Sequence, residues 1–305
     1  MPGRTFRVGT RASTLARAQT DFVISQLDAP TEVVTISTEG DRSTAALAQI
    51  GGTGVFVSAL RDALLRGDID IAVHSFKDLP TGPADGIVVA AVPPREDNRD
   101  VLVARDGLTL GELPPGARVG TGSPRRMAQL NALGLGIEVV GVRGNIDTRV
   151  RKVTDGEFDA VVLAYAGLRR IGRAEVVTEV LDPIQVLPAA AQGALAIETR
   201  ADDDEAVALV AVLDHADTRA TVAAERALLE ALEAGCSAPI GTMAEIAEGD
   251  DGPEIFLRGS VTALDGSDAV RLSATGPTTD ADGVGRRLAA ELIADGAHTM
   301  MGSST

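Results

Sequence analysis

The sequence predicts an α/β fold with covered sheets, and three observations lead to it. Short apolar runs rich in Val, Ile and Ala recur along the first two thirds of the chain, as buried strands do. Segments with apolar residues at helical spacing lie between these runs. The alternation is typical of α/β architecture, because helices cover both faces of a mostly parallel sheet.

The apolar runs predict the strands in order along the chain. They are Phe6–Gly9, Val33–Ser37, Ile69–Val73, Ile87–Val92, Val101–Ala104, Val139–Val142 and Ala160–Leu163. Two helices are predicted early in the chain. The first is Thr14–Leu27, with an apolar face formed by Leu15, Ala18, Phe22 and Leu27. The second is Val55–Leu65, where Phe56, Leu60 and Leu64 recur every four residues.

Breaks in this pattern predict three domains. A linker-like segment, Pro93–Arg99, ends the first series, and a second series runs from Asp100 to about Pro188. Pro188–Ile197 is predicted as a return strand. The remaining chain is predicted to be α+β, with helices Thr221–Ala234 and Asp282–Asp295 and strands Ile255–Leu264 and Ala269–Ala274. We expect domain 1 at 1–95 with 190–214, domain 2 at 99–188 and domain 3 at 216–305.

Composition narrows the function classes. The chain has 305 residues, 45% of them hydrophobic, and a net charge of −16. This charge argues against a nucleic-acid partner, because phosphate contacts need a basic face. No apolar run approaches the length of a membrane span, and the N-terminus lacks an apolar leader. We therefore expect a cytoplasmic protein with no membrane partner and no metal ion.

The charged residues are unevenly distributed by type. Lys77 and Lys152 are the only lysines, and arginine supplies the other basic residues. An acidic, lysine-poor surface suits a high-salt cytoplasm, where screening weakens the repulsion between like charges. We expect the source organism to be a halophile.

Three loops share one design, in which a strand ends, an arginine lies on the turn and a capping residue opens a helix: Gly9–Ser13 (GTRAS), Gly120–Arg126 (GTGSPRR) and Val142–Arg149 (VRGNIDTR). Ser13, Ser123 and Asn145 are the predicted N-caps, and Pro124 suits the first helical position. Such loops lie at the carboxyl ends of strands, where open α/β sheets bind ligands.

Arg125 and Arg126 fall in the first turn of a predicted helix, where cations oppose the helix dipole. An anion bound between them offsets that cost, so the pattern predicts a site for a small carboxylated or phosphorylated ligand. The alternative is that these arginines are solvated or paired with the abundant carboxylates.

The segment AVHSFKDLP, Ala72–Pro80, carries further candidates. Lys77 suits a carboxylate, and Asp78 suits a cation or a pyrrole-type N–H donor. The alternative is a surface ion pair worth about 0–1 kcal/mol. His74 is a possible proton carrier, but its position in an apolar run favours a structural role.

Cys236 is the single cysteine, so no intramolecular disulfide forms. A lone cysteine is most often a small buried hydrophobic residue. A turn between Gly235 and Pro239 instead exposes the sulfur as a nucleophile.

In combination these motifs resemble the porphobilinogen deaminase family. The resemblance spans about residues 7 to 241 and rests on GTRAS, IGGTGVF, AVHSFKDLP, GTGSPRR, VRGNIDTR, AGLRRIG, LPAAAQGA, AAERALL and AGCSAPIG in this order. It implies two lobes like type II periplasmic binding proteins, with a cleft between them, plus a small α+β third domain. It also implies a monomeric transferase that condenses four porphobilinogen molecules head to tail with loss of ammonia. The product, linear hydroxymethylbilane, is released by hydrolysis.

The resemblance assigns residues to roles. Cys236 holds a dipyrromethane cofactor through a thioether, and Asp78 is the catalytic residue at the pyrrole nitrogens. The cofactor-binding residues are Lys77, Asp78, Thr121, Ser123, Arg125, Arg126, Gly144 and Arg149. The substrate-binding residues are Arg11, Ser13, Phe56, Arg143, Arg149, Arg170 and Gln192. Arginine suits this role because acetate and propionate side chains accumulate as the pyrrole chain grows.

The sequence departs from the family pattern in two segments. Gln49 and Thr53 stand where many members have lysines, and Gly122 and Pro124 replace common Ser and Leu. Two other function classes remain open: a two-lobed receptor for a small carboxylate, and a phosphate-binding transferase, for which no Walker-type or GxGxxG motif is present.

Overall fold

The computed structural model describes residues 4–36, 57–232, 238–249 and 252–301. The predictions for Phe56 and Cys236, and the departures from the family pattern at Gln49 and Thr53, lie outside these residues. The chain divides into two units. One contains Met1–Glu96 and Gly193–Arg219, and the other contains Asp97–Gln192 and Ala220–Thr305. No helix in the described ranges combines the length and apolarity needed to cross a bilayer.

The described strands and helices are numbered here in chain order. The strands are β1 Phe6–Thr10, β2 Thr31–Thr35, β3 Ile71–Ser75, β4 Ile87–Ala91, β5 Asp100–Ala104, β6 Arg118–Thr121, β7 Glu138–Gly141, β8 Ala160–Ala164, β9 Glu179–Val180, β10 Leu195–Arg200, β11 Ile240–Gly249, β12 Gly252–Thr262 and β13 Ala269–Pro277. The α-helices are α1 Thr14–Ile24, α2 Ser58–Leu65, α3 Pro124–Ala132, α4 Ile146–Thr154, α5 Tyr165–Arg170, α6 Asp204–Ala211, α7 Ala216–Ala231 and α8 Ala281–Ala294.

The first unit is built on a five-stranded sheet of order β2-β1-β3-β10-β4. Strand β1 is parallel to β2 and β3, while β10 is antiparallel to both β3 and β4. Val8, Ile71 and Ile197 lie in its apolar core. Strands β1 and β3 are mostly buried, which explains their apolar runs, whereas the edge strand β2 is largely exposed.

The second unit contains a sheet of the same design, with strand order β7-β6-β8-β5-β9. Strands β6, β7 and β8 are parallel, and β5 runs antiparallel to β8 and β9. In both sheets one antiparallel strand lies between the third parallel strand and the edge strand. The predicted α/β class is confirmed, because both sheets contain parallel strands that alternate with helices.

A three-stranded antiparallel sheet, β11-β12-β13, completes the second unit. Helices α7 and α8 cover it, and Leu228, Leu257 and Leu288 lie in their shared core. This part is α+β, as predicted. It also contacts the segment before β10, since the Thr242 N–H donates to the Pro188 carbonyl over 2.8 Å. The exact three-domain boundaries stay a prediction.

Two predictions about local structure were wrong. Phe22 is 45% exposed, and the buried side of α1 carries Gln19, Thr20 and Val23 instead. The spacing of apolar residues predicted the wrong face because it takes no account of hydrogen bonds. Gln19 is buried, and its amide donates to Ser75 Oγ over 2.8 Å. The strand predicted from Pro188 begins only at Leu195. The residues before it form turns that apolarity alone does not reveal.

Candidate active site

The first unit places its candidate residues at one edge of its sheet. Strands β1 and β3 are parallel neighbours, so their carboxyl ends share that edge. Arg11 follows β1, and Ser13 Oγ accepts from the Ala16 N–H over 3.3 Å, which confirms the predicted cap. A single 3₁₀ turn, Phe76–Asp78, follows β3 and carries Lys77.

Arg11 and Asp78 line one small cavity in this unit. Gln19, His74 and Ser75 are among its other lining residues. Its volume is about 30 Å³, enough for roughly one water molecule. Asp78 and Lys77 are both half-buried. The cavity therefore presents a carboxylate and a guanidinium together, as a site for a ligand with both N–H donors and carboxylates requires.

His74 belongs to a buried charge cluster beside this cavity. Its Nε2 lies 3.2 Å from Glu198 Oε2, and Arg61 contacts the same carboxylate over 2.7 Å. Burial raises the pKa of Glu198, but hydrogen bonds from His74 and Arg61 outweigh burial and bring the pKa to about 2. This pairing supports the structural interpretation of His74.

The second unit brings three strand-to-helix loops to one sheet edge. Parallel strands β6, β7 and β8 each end there and lead into α3, α4 and α5. Ser123 Oγ accepts from the Arg126 N–H, with Pro124 at the start of α3. Asn145 Oδ1 accepts from the Thr148 N–H over 2.9 Å. The caps predicted at Ser123 and Asn145 are confirmed.

Two glycines allow the first two of these loops to fold tightly. A Cβ on Gly122 would lie 2.9 Å from the Val142 carbonyl oxygen and 3.5 Å from a terminal nitrogen of Arg149. Gly144 has φ +107°, and a Cβ there would lie 2.6 Å from Thr148 Cγ2. The buried Thr121 accepts the Val142 N–H through its carbonyl over 3.1 Å. These close approaches explain glycine at both positions.

Arg125 and Arg126 are buried rather than solvated, and they share one carboxylate. Each donates a terminal N–H to a different oxygen of Asp100 over 2.7 Å. Arg125 also donates to the Leu187 carbonyl, and Arg126 donates to the Val162 carbonyl over 3.1 Å. The Nε atoms of both arginines are buried without a hydrogen-bond partner in the described part of the chain.

Arg149 lies among other cations. Its Nε donates to the Gly144 carbonyl over 2.8 Å, and within the described ranges no carboxylate forms an ion pair with it. Burial first, and then repulsion from Arg126 and Arg143, lower the pKa of Arg149 to about 10. A half-buried guanidinium in such surroundings favours a bound anion.

The other predicted residues of this unit differ in accessibility. Arg143 is exposed and Arg170 is half-buried at the end of α5. Gln192 is buried, and its amide donates to Asp100 Oδ1 over 2.7 Å and to the Asn98 carbonyl over 2.8 Å. The structure thus brings Gln192 and Arg126 together around Asp100.

Sequence reasoning missed two buried acids of this unit. Asp100 opens the apolar strand β5, and a charged residue at the head of such a run was the available signal. Glu225 is fully buried in α7 and accepts the N–H groups of Ala191 (2.6 Å) and Ala244 (2.8 Å). Ala191 has φ +58°, and it precedes Gln192. Glu225 therefore holds the strained turn that presents Gln192.

Family models match most of the chain. A model described as "Porphobilinogen deaminase, dipyromethane cofactor binding domain" matches residues 6–208, and one described as "Porphobilinogen deaminase, C-terminal domain" matches residues 219–294. The chain belongs to the porphobilinogen deaminase family. This confirms the resemblance read from the motifs.

Curated members of the porphobilinogen deaminase family align over nearly the whole chain. "Porphobilinogen deaminase" of Nocardia farcinica is 55% identical over 98% of this chain and 88% of its own length. The Mycobacterium bovis protein of the same name is 57% identical, covering 97% of this chain and 98% of its own length. "Porphobilinogen deaminase 1" of Streptomyces coelicolor is 56% identical over 99% of both chains.

Solved structures give weaker likenesses. The ligand-binding component of an ABC-type import system from Staphylococcus aureus has a TM-score of 0.41 at 16% identity, over 74% of this chain and 77% of that chain. A putative methionine-binding lipoprotein from Bacillus subtilis has a TM-score of 0.37 at 14% identity, over 68% and 90% of the two chains. The α/β class of the two sheets follows from their strand order and from the helices between the strands.

The cofactor of the porphobilinogen deaminase family is dipyrromethane. A dipyrromethane with acidic side chains needs cations in a partly dry site, and the second unit supplies them. Arg149 faces other cations, and Arg126 has a buried Nε that has no hydrogen-bond partner among the described residues. The donor set therefore fits this group.

Proposed function

We propose that this chain is a porphobilinogen deaminase, also called hydroxymethylbilane synthase. This transferase of tetrapyrrole and haem biosynthesis condenses four porphobilinogen molecules head to tail, with loss of ammonia, and then releases linear hydroxymethylbilane by hydrolysis. The observation that carries the proposal is the group of cations formed by Arg126, Arg143 and Arg149, in which Arg149 has no carboxylate partner among the described residues.

These cations bind the carboxylates of the pyrrole chain. Arg149 contributes most to ligand binding. It can form an ion pair with a ligand carboxylate without first breaking an ion pair to a carboxylate among the described residues. Arg126 contributes its remaining capacity, since Asp100 and the Val162 carbonyl already occupy both of its terminal nitrogens. We assign cofactor contacts to these residues together with Lys77, Thr121, Ser123, Arg125 and Gly144. We assign substrate contacts to Arg11, Ser13, Phe56, Arg143, Arg149, Arg170 and Gln192.

Asp78 is proposed as the catalytic residue. When the aminomethyl group of porphobilinogen leaves as ammonia, positive charge develops on the pyrrole. A carboxylate at the pyrrole N–H stabilises that charge, as preorganised electrostatics require. Arg11 lines the same small cavity as Asp78, which supports this role by placing a guanidinium near the carboxylate. The guanidinium is proposed to bind a substrate carboxylate while Asp78 accepts the pyrrole N–H.

Cys236 is proposed as the anchor of the cofactor. When bound, dipyrromethane would supply the free α-carbon to which the first porphobilinogen is added, and each later unit would be added to the free α-carbon of the pyrrole before it. The thiolate of Cys236 holds the cofactor through a thioether. The thioether attaches the cofactor to the protein, and the arginines of the second unit orient the growing pyrrole chain.

Intact mass spectrometry tests the function and the anchor together. The wild-type protein is expected to carry a covalent dipyrromethane increment and to form hydroxymethylbilane from porphobilinogen. Cys236→Ser is expected to lose the increment and the activity, while the neighbouring control Ser237→Ala keeps both. A wild-type protein with no covalent pyrrole that binds a carboxylate reversibly would instead favour a receptor.

We further propose that the enzyme works as a monomer in the cytoplasm of a halophile. The net charge of −16 and the scarcity of lysine support the salt requirement. Sedimentation is expected to give the mass of a single chain. Turnover and the melting temperature are expected to rise with KCl, and full activity in dilute buffer would contradict the salt requirement.

A further inference from the structure

Asp100 reaches the arginine-rich sheet edge because of strand direction. It is the first residue of β5, which runs antiparallel to β8, so it pairs with Ala164 at the end of β8. The start of β5 therefore lies where the parallel strands end. Its side chain is fully buried there.

Three donors converge on this one carboxylate. Arg125 donates to Oδ2, while Arg126 and Gln192 both donate to Oδ1, each over 2.7 Å. Burial raises the pKa of Asp100, but the charges of Arg125 and Arg126 outweigh burial and hold it below its ordinary value. Asp100 therefore stays ionised, and one negative charge faces two positive ones.

We propose that Asp100 is a positioning residue, which fixes the guanidinium groups of Arg125 and Arg126 and leaves one positive charge uncompensated for a carboxylate of the pyrrole chain. This inference rests on the proposed function. Asp100 itself touches neither substrate nor cofactor, because its oxygens are occupied by protein donors and its side chain is fully buried. It acts through the direction of two side chains whose terminal N–H groups it holds.

Position matters here as well as charge. Guanidinium and carboxylate groups bind in a planar, paired geometry, so a guanidinium that loses its orientation binds a carboxylate more weakly. Removing the Asp100 charge therefore weakens binding of the carboxylated ligand. The chemical step at Asp78 depends on a different unit, so kcat is expected to change much less than KM.

The first test is Asp100→Asn, which keeps the side-chain volume and removes the charge. In folded protein we expect KM for porphobilinogen to rise about tenfold or more, with kcat within about threefold. Reduced covalent pyrrole content by intact mass counts as the same result, because the cluster also binds the cofactor's carboxylates. The matched control is Asp159→Asn, since Asp159 pairs with Arg105 over 2.8 Å in the same unit. The control is expected to keep wild-type KM and pyrrole content.

The second test moves the negative charge from residue 100 to residue 192. In Asp100→Asn/Gln192→Glu, the carboxylate arises at residue 192, whose Oε1 lies 3.5 Å from the terminal nitrogen of Arg126. This variant keeps the total charge of the cluster and gives Arg126 a partner, but leaves Arg125 without one. We expect a folded, pyrrole-loaded protein with KM between those of the wild type and Asp100→Asn. If Asp100→Asn does not fold, KM of this double variant is expected to exceed the wild-type value about threefold or more.

The proposal is overturned if Asp100→Asn folds with wild-type KM and pyrrole content, or if the double variant matches the wild type. A double variant that fails to fold also overturns it, because Asp100 is then required for folding alone. Failure of the proposed function is distinguishable, since the wild-type protein itself would then lack the covalent pyrrole increment.

Discussion

The two five-stranded sheets share one strand order but use their buried acids differently. Each sheet has an antiparallel strand beside its third parallel strand, and each such strand carries a buried carboxylate. Glu198 lies within β10 opposite Ala72, near the start of β3. Asp100 lies at the start of β5 opposite Ala164, at the end of β8.

Because of this difference in position, we assign the two carboxylates different roles, one in stability and one in ligand binding. Glu198 pairs with His74 and Arg61 below the sheet edge, where it holds α2 and β3 together. Asp100 pairs with two arginines at the edge itself, beside Arg149. We infer that Glu198 contributes mainly stability, whereas Asp100 directs binding groups. The carboxylate that we propose as catalytic in the first unit is a separate residue, Asp78.

The largest expected effect is on catalysis through Asp78. Asp78→Asn is expected to lower kcat by about 10²–10⁴-fold, because the developing positive charge loses its carboxylate. Covalent cofactor is expected to remain attached, as intact mass checks. The exposed Asp85 in the same unit provides the control Asp85→Asn, with unchanged kcat. Near-normal turnover in Asp78→Asn would contradict the proposed catalytic role of Asp78.

Glu198→Gln is expected to lower stability without impairing the site. The pKa of Glu198 falls from 4.5 to about 2 on folding, so its contribution is present above pH 4.5 and is lost as pH falls toward 2. The contribution at neutral pH is at most about 3 kcal/mol. Urea unfolding at pH 7 and near pH 2.5 checks this, with a smaller difference between variant and wild type at the lower pH. A large rise in KM at neutral pH would contradict the division of roles.

Arg149→Gln is expected to raise KM for porphobilinogen about tenfold, with a smaller change in kcat. The reason is that a charge-assisted contact to a carboxylate is lost, worth about 1.4 kcal/mol at this ratio. Salt dependence of KM is also expected to weaken. Arg151→Gln, on the exposed side of the same helix α4, is the control. If the two variants behave alike, Arg149 has no special role in binding.

The smallest expected effect is that of Gly122→Ala. Its methyl group approaches the Val142 carbonyl and the Arg149 guanidinium, so both loops must shift slightly. We expect KM to rise about fivefold, consistent with about 1 kcal/mol of overpacking. Gly111→Ala is the control, because nothing lies within 4 Å of an added Cβ there. An unchanged KM in Gly122→Ala would show that the loops tolerate the shift.

Much of this arrangement was predictable from the sequence because it depends on local chemistry. The caps Ser13, Ser123 and Asn145 follow from residue type at a strand-to-helix turn. Most strand positions follow from short apolar runs, although β6, β9 and β11 were not predicted from them. The family follows from motifs in a fixed order. None of these inferences requires knowing which distant residues meet.

The parts that could not be predicted depend on contacts between distant residues. Asp100 and Arg126 are far apart in sequence, and only the antiparallel placement of β5 brings them together. Charge count alone did not distinguish solvated arginines from buried ones. The buried face of α1 was misplaced because the hydrogen bond from Gln19 to Ser75 selects it rather than apolarity.

A crystal structure of the pyrrole-loaded protein tests the central claim most directly. We expect carboxylate oxygens of the cofactor within about 3 Å of a terminal nitrogen of Arg149, as charge-assisted hydrogen bonds require. We also expect that Asp100 still holds Arg125 and Arg126 in that structure. Cofactor carboxylates that point into solvent, away from Arg126, Arg143 and Arg149, would contradict this claim.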